Sequence, residues 1–191
     1  AAEGDAGVAA LEAFAAAHPR TLGAARALHR AVLLLGASRP ERGEPTERLL
    51  RAVALVERLR GGAFPPCEWV EGAPADLLRA LRIEAAHVPP ANVPRAIEAL
   101  RRLLRGRFAL DDAGPLAGGV GGPAARVVTD LLKGQPDAAA VRQRFLDDLV
   151  RDGADAAAVR YLTALLELSD EPNARAQEAT APRERALLRL R

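Results

Sequence analysis

Along most of this chain apolar residues recur every three or four positions, in blocks one helix long, and proline or glycine closes each block. Residues at that spacing share one side of an α-helix, whereas a half-buried strand needs strict alternation. The first block sets Val8, Leu11 and Phe14 in register, stops at His18-Pro19, and resumes through Ala24, Leu28, Ala31 and Leu35 to Gly36. Pro19 cannot continue a helix and steers His18 toward extended angles, while Thr21 offers a capping oxygen and Gly36 a stop. The pattern predicts a helical hairpin. Pro45-Thr46 opens a third helix, with Leu49, Leu50, Val53, Val56 and Leu59 on one face and Gly61-Gly62 at its end. Ala and Leu dominate the apolar 49%, aromatics make up 3%, and this mixture favours helix over strand.

Residues 63–73 read as irregular, holding Pro65-Pro66, the only cysteine (Cys67) and the only tryptophan (Trp69). Pro74-Ala75-Asp76 starts a helix expected to run through Leu77, Leu78 and Leu81 to Val88, where Pro89-Pro90 ends it. Asn92 is placed to cap a fifth helix with Pro94 in its first turn; Ile97, Leu100, Leu103 and Leu104 form its buried stripe. The clearest composition break is 106–123, rich in Gly and Pro, which reads as a linker or loop between an N-terminal helical region, 1–105, and a C-terminal one, 124–191. The two regions can equally form one continuous domain. Helices are expected over 124–133, 137–152 and 155–168, with Asp137 and Asp155 in first turns where a negative charge suits the helix dipole, and a short one follows Pro182. The expected fold is all-α: antiparallel helical hairpins, solenoid-like or as an irregular bundle, of about eight helices.

Charge and cysteine usage exclude several classes. The 27 basic residues are Arg apart from Lys133, and they are interspersed with 25 acidic ones. Before residue 110 there are 16 Arg against 12 acids, and after it 11 basic residues against 13 acids, so no segment carries the concentrated basic footprint of a specific nucleic-acid binder. The lone Cys67 rules out an intramolecular disulfide and a multi-cysteine zinc site. No apolar run reaches the roughly 18 to 20 residues of a membrane span. The opening Ala1-Ala2-Glu3-Gly4-Asp5 matches what signal-peptide cleavage leaves behind, although a trimmed fragment would open the same way.

Few residues are arranged for chemistry. Glu84 and His87 have the E-x-x-H spacing of di-iron carboxylate bundles, but those sites need the motif twice, and neither His18 nor His29 has a Glu three residues before it. Cys67, beside Glu68 and Trp69, could serve as a nucleophile only with a distant base, and packing is the simpler role. Trp69 reads as an anchor for its loop. The run Gly118-Gly119-Val120-Gly121-Gly122-Pro123 lacks the preceding strand and the Gly-Lys-Ser/Thr of a phosphate-binding loop. Asp148 and Asp152 share a helix face, with Arg144 and Arg151 as ready ion-pair partners. No residue is assigned a catalytic, cofactor-binding or metal-binding role, and no cofactor is implied.

The stretch 8–36 resembles a tetratricopeptide-type helical repeat. Leu11 falls on an apolar position of the first helix, and Ala24, Leu28 and Ala31 fall on the small, large and small positions of the second. Leu11-Glu12-Ala13-Phe14 followed by His18-Pro19 is similar to the repeats of bacterial periplasmic and outer-membrane-lipoprotein members of that superfamily. Glu12, Ala15 and Gly36 depart from that pattern, where a small residue, an aromatic and a proline are usual. The resemblance implies a concave helical surface that binds another protein or a peptide, with a periplasmic or secreted location ahead of a cytoplasmic one. The leading expectation is a non-enzymatic interaction or structural module. The alternatives are an all-α enzyme or ligand-binding protein with its site near Cys67, Trp69, Glu84 and His87, and a basic-helix binder of nucleic acid or anionic membrane acting through Arg95, Arg101, Arg102 and Arg105.

Overall fold

The computed structural model describes residues 2–37, 45–61, 64–81, 88–104 and 121–170. The protein is all-α, with nine α-helices, one 3-10 turn and no strand among the described residues. The helices are α1 (Ala2–Ala17), α2 (Leu22–Gly36), α3 (Pro45–Arg60), α4 (Glu68–Glu71), α5 (Ala73–Ala80), α6 (Val93–Leu104), α7 (Gly121–Leu132), α8 (Ala138–Arg151) and α9 (Ala156–Asp170). They fall into two compact units, Ala1–Leu103 and Leu104–Arg191. No helix among the described residues is long and apolar enough to cross a membrane.

In the first unit α1 and α2 form the expected hairpin. Thr21 stops the turn at both ends: its hydroxyl donates to the His18 carbonyl at 2.9 Å and accepts from the Ala24 N–H at 3.1 Å, satisfying one of the four amides that a helix start leaves without partners. α2 is the hub, packed against α1, α3, α4 and α5. Its Ala24, Ala25, Leu28, Ala31 and Val32 are fully buried, and the small side chains among them let neighbours approach closely. Gly36 carries this furthest, since a Cβ there would lie 3.1 Å from that of Ala80 and 3.2 Å from a methyl of Leu77. α6 is tied to α3 by contacts that ascend together in both helices: Arg95 to Glu47, Arg102 to Glu57, and Arg60 to the Leu103 carbonyl. The two helices therefore run in the same direction.

The helices differ from the sequence expectation in three places. Residues 68–71 form a one-turn helix rather than loop. α5 ends at Ala80 because Leu81 takes an extended ψ of 126°, although apolar spacing continues beyond it. α7 starts at Gly121, with Pro123 in its first turn, where a missing N–H leaves no hydrogen bond unmade. The terminal helix expected after Pro182 lies outside the described residues.

In the second unit α7 lies along α9, and α8 packs on both. Val128, Leu131, Phe145, Leu149, Leu162 and Leu166 make its core. Asp155 accepts from the Ala158 N–H at 2.9 Å and so caps α9. α8 ends in a Schellman motif, with Gly153 at φ +83° and the Gly153 and Ala154 amides donating back to the Val150 and Leu149 carbonyls.

Candidate functional site

Three places on the molecule gather side chains of interest. The first is the outer face of α1. Val8 and Ala15 are buried beneath it, while Ala6, Ala9, Ala10, Ala13, Ala16 and Ala17 are exposed. Its central charge, Glu12, is taken by an ion pair with Arg51 of α3. What remains over residues 6–17 is a surface of small residues, with Asp5 exposed at its N-terminal edge. At the end of this face the Phe14 ring lies over the start of α2, 4.6 Å between centroids from the tilted His18 ring, and stays 46% exposed; Leu22 on α2 is 50% exposed. Two large apolar side chains, each about half exposed, thus flank the turn between α1 and α2.

The second place is the seam between α2 and the α4–α5 segment. Arg26 lies over the Trp69 ring, 5.7 Å from its centroid, a cation–π contact that pins α4 to α2. Three residues on, His29 meets Asp76 at 3.0 Å with its side chain only 13% exposed, and Asp76 also accepts from Arg79 at 3.0 Å. Trp69 is therefore the anchor that its sequence context suggested. Cys67 is half-buried at the N-terminus of α4, and no hydrogen bond joins it to His29 or Asp76 among the described residues. Glu84 and His87 lie outside the described residues, so the four-residue site expected around Cys67 is described only in its Cys67 and Trp69 half. Among the described residues no group of three or more His, Cys, Asp or Glu side chains could hold a metal ion.

The basic residues of α6 are committed locally. Arg101 grips Glu98 through two 2.7 Å hydrogen bonds, Arg102 makes a two-point contact with Glu57, and Arg95 lies 2.9 Å from Glu47. The Arg101 hydrogen bond holds the Glu98 carboxyl below its usual pKa, with the Arg101 and Arg102 charges adding to this against a smaller effect of burial. An arginine row that faces acids in this way is a solvated, paired surface, and Arg105 lies outside the described residues.

The third place was not anticipated from sequence. A cleft of about 490 Å³ opens in the second unit where the end of α7, the following turn and the start of α8 meet. Its residues come from 128–142 plus Leu166, and only the folded chain brings them together. Burial pushes the Asp130 carboxyl above its usual pKa, against the opposing pull of Arg126 and Lys133. Comparison with known protein families, with curated proteins and with solved structures finds no match for this chain.

Proposed function

We propose that this protein is a non-enzymatic interaction module that docks a partner helix or peptide on the outer face of the α1–α2 hairpin. The observation that carries this reading is the small-residue face of α1, bordered by Asp5 at one end and by exposed Phe14 and Leu22 at the other. Alanine on a helix surface lets a second helix come to the short end of the usual 8–10 Å spacing, and exposed aromatic and aliphatic side chains at its edge supply anchors. Free α1 loses little by waiting for a partner, since its exposed methyls cost less in water than a leucine stripe would. The resemblance of 8–36 to a tetratricopeptide-type repeat supports the same reading. So does the way α3 touches both members of the first hairpin, through its packing on α2 and the Glu12 to Arg51 pair. The repeats that 8–36 resembles belong to bacterial proteins outside the cytoplasm, and we place this chain there as part of the proposal.

The test is affinity capture with the tagged full chain from its native host, run beside Ala13→Arg and Phe14→Asp. Both substitutions fall on exposed positions, so circular dichroism is expected to match the parent. A stoichiometric partner held by the parent and lost by both variants is the expected result. A protein that elutes alone, or the same partner on all three chains, would remove α1 as the docking face.

A further inference from the structure

Asp152-Gly153 is the one Asp-Gly pair in the 191 residues, and the chain has no Asn-Gly. An aspartyl side chain can close on the amide nitrogen of the residue after it, and glycine, with no Cβ, leaves that approach open. Asp5, Asp112, Asp137 and Asp155 also precede small residues, but each is followed by alanine, whose methyl crowds the same approach. The Asp-Gly pair falls at the end of α8, with Asp152 at φ −77° and ψ 2° and Gly153 at φ +83°. Asp152 is half-buried and Gly153 exposed. The Gly153 N–H donates to the Val150 carbonyl at 3.0 Å, the Ala154 N–H to that of Leu149 at 3.0 Å, and the Asp152 N–H to that of Asp148 at 2.9 Å. Three consecutive amides are thus tied back into α8.

Ring closure needs the Gly153 nitrogen turned toward the Asp152 carboxyl carbon and released from its proton. At ψ 2° that nitrogen eclipses the backbone nitrogen of Asp152 itself and so points away from the side chain, while its proton is held by Val150. We infer that Asp152-Gly153 is a latent isomerisation site, held shut by the turn between α8 and α9 and exposed to reaction when that turn opens. In the open chain the Gly153 nitrogen bonds to the carbon of the protonated Asp152 carboxyl, and the amide proton leaves with the carboxyl hydroxyl as water. Water then adds back to the five-membered imide. Attack at the side-chain carbonyl restores aspartate, and attack at the backbone carbonyl gives isoaspartate. One water is released and one taken up, with no oxidant or cofactor. The product keeps its negative charge but carries one extra backbone atom, so the hydrogen bonds that close α8 cannot re-form in register. Its free α-carboxylate is the group that isoaspartyl repair methyltransferases methylate. This site is remote in sequence from the α1 face and independent of the docking function proposed for it.

The experiment is prolonged incubation of the full chain at neutral pH, folded and in guanidinium chloride. Isoaspartate is read by methylation with an isoaspartyl methyltransferase and S-adenosylmethionine, and placed on the chain by peptide mass spectrometry. The unfolded chain is expected to accumulate isoaspartate at position 152 about tenfold or more faster than the folded one, since the folded rate is scaled by the fraction of time the turn is open. Asp155→Ala removes the side-chain cap of α9 on the far side of the turn, at an exposed position. It is expected to speed the folded chain several-fold and to leave the unfolded rate unchanged. Asp152→Glu is expected to abolish the signal at this position, because its longer side chain would have to close a six-membered ring. Equal rates in the folded and unfolded chains, or no isoaspartate at position 152 in the unfolded one, overturns the assignment. An Asp155→Ala chain that reacts at the parent's rate with unchanged circular dichroism removes the gate given to the turn.

Discussion

Asp130 sits in a setting that disfavours its own charge, because burial raises its pKa more than Arg126 and Lys133 lower it. A carboxyl whose folded pKa lies above the unfolded value of 3.8 costs stability once pH rises through the folded value, and costs nothing well below the unfolded one. Asp130→Asn is therefore expected to raise the melting temperature at neutral pH, with the gain shrinking to nothing in acid; thermal melts of the two chains across pH check this. Glu98 behaves in the opposite sense. Its pKa is depressed below 4.5 chiefly by the Arg101 hydrogen bond, so its contribution is present above that value and lost as pH falls through the lower folded one. Glu98→Gln is expected to shift the acid limb of the same melts only slightly, since the Glu98 carboxylate is about half exposed and screened by solvent.

Among the elements, α2 concentrates the energetics of the first unit. Leu28 is fully buried at its centre, so Leu28→Ala is expected to cost about 2 to 5 kcal/mol, read from urea unfolding. The hairpin and α3 were legible in sequence because each is bounded by a residue with a fixed backbone consequence: Pro19, Thr21, Gly36 and Pro45. α4 was not, since one turn has no periodicity to read. The end of α5 was missed because apolar spacing reports which side faces the core and is blind to the extended Leu81 backbone. The start of α7 was hidden by glycines that read as loop, although the Tyr161 ring occupies the space a Cβ on Gly121 would need, 3.0 Å away. The sites follow the same logic. Cys67 and Trp69 were noticed because they are neighbours in sequence, whereas the partner that explains Trp69, Arg26, is distant, and the cleft draws on three separate helices.

Taken whole, the molecule is two helical units, each with its own buried leucines, and the ion pairs among the described residues cross between helices or span a single turn. Arginine does almost all of this, and lysine is used once in 191 residues. That one lysine occupies the exposed turn between α7 and α8, followed by Gly134 at φ +78°. A lysine-specific endoprotease therefore has a single bond to hydrolyse, at a turn of the kind that proteases prefer. Mass spectrometry of the digest is expected to give two fragments, 1–133 and 134–191; an intact chain would mean that the turn is shielded. The nick falls between a helix and the two it packs against. It converts the protein into a pair of complementing peptides, whose reassociation reports how firmly α7 holds to α9.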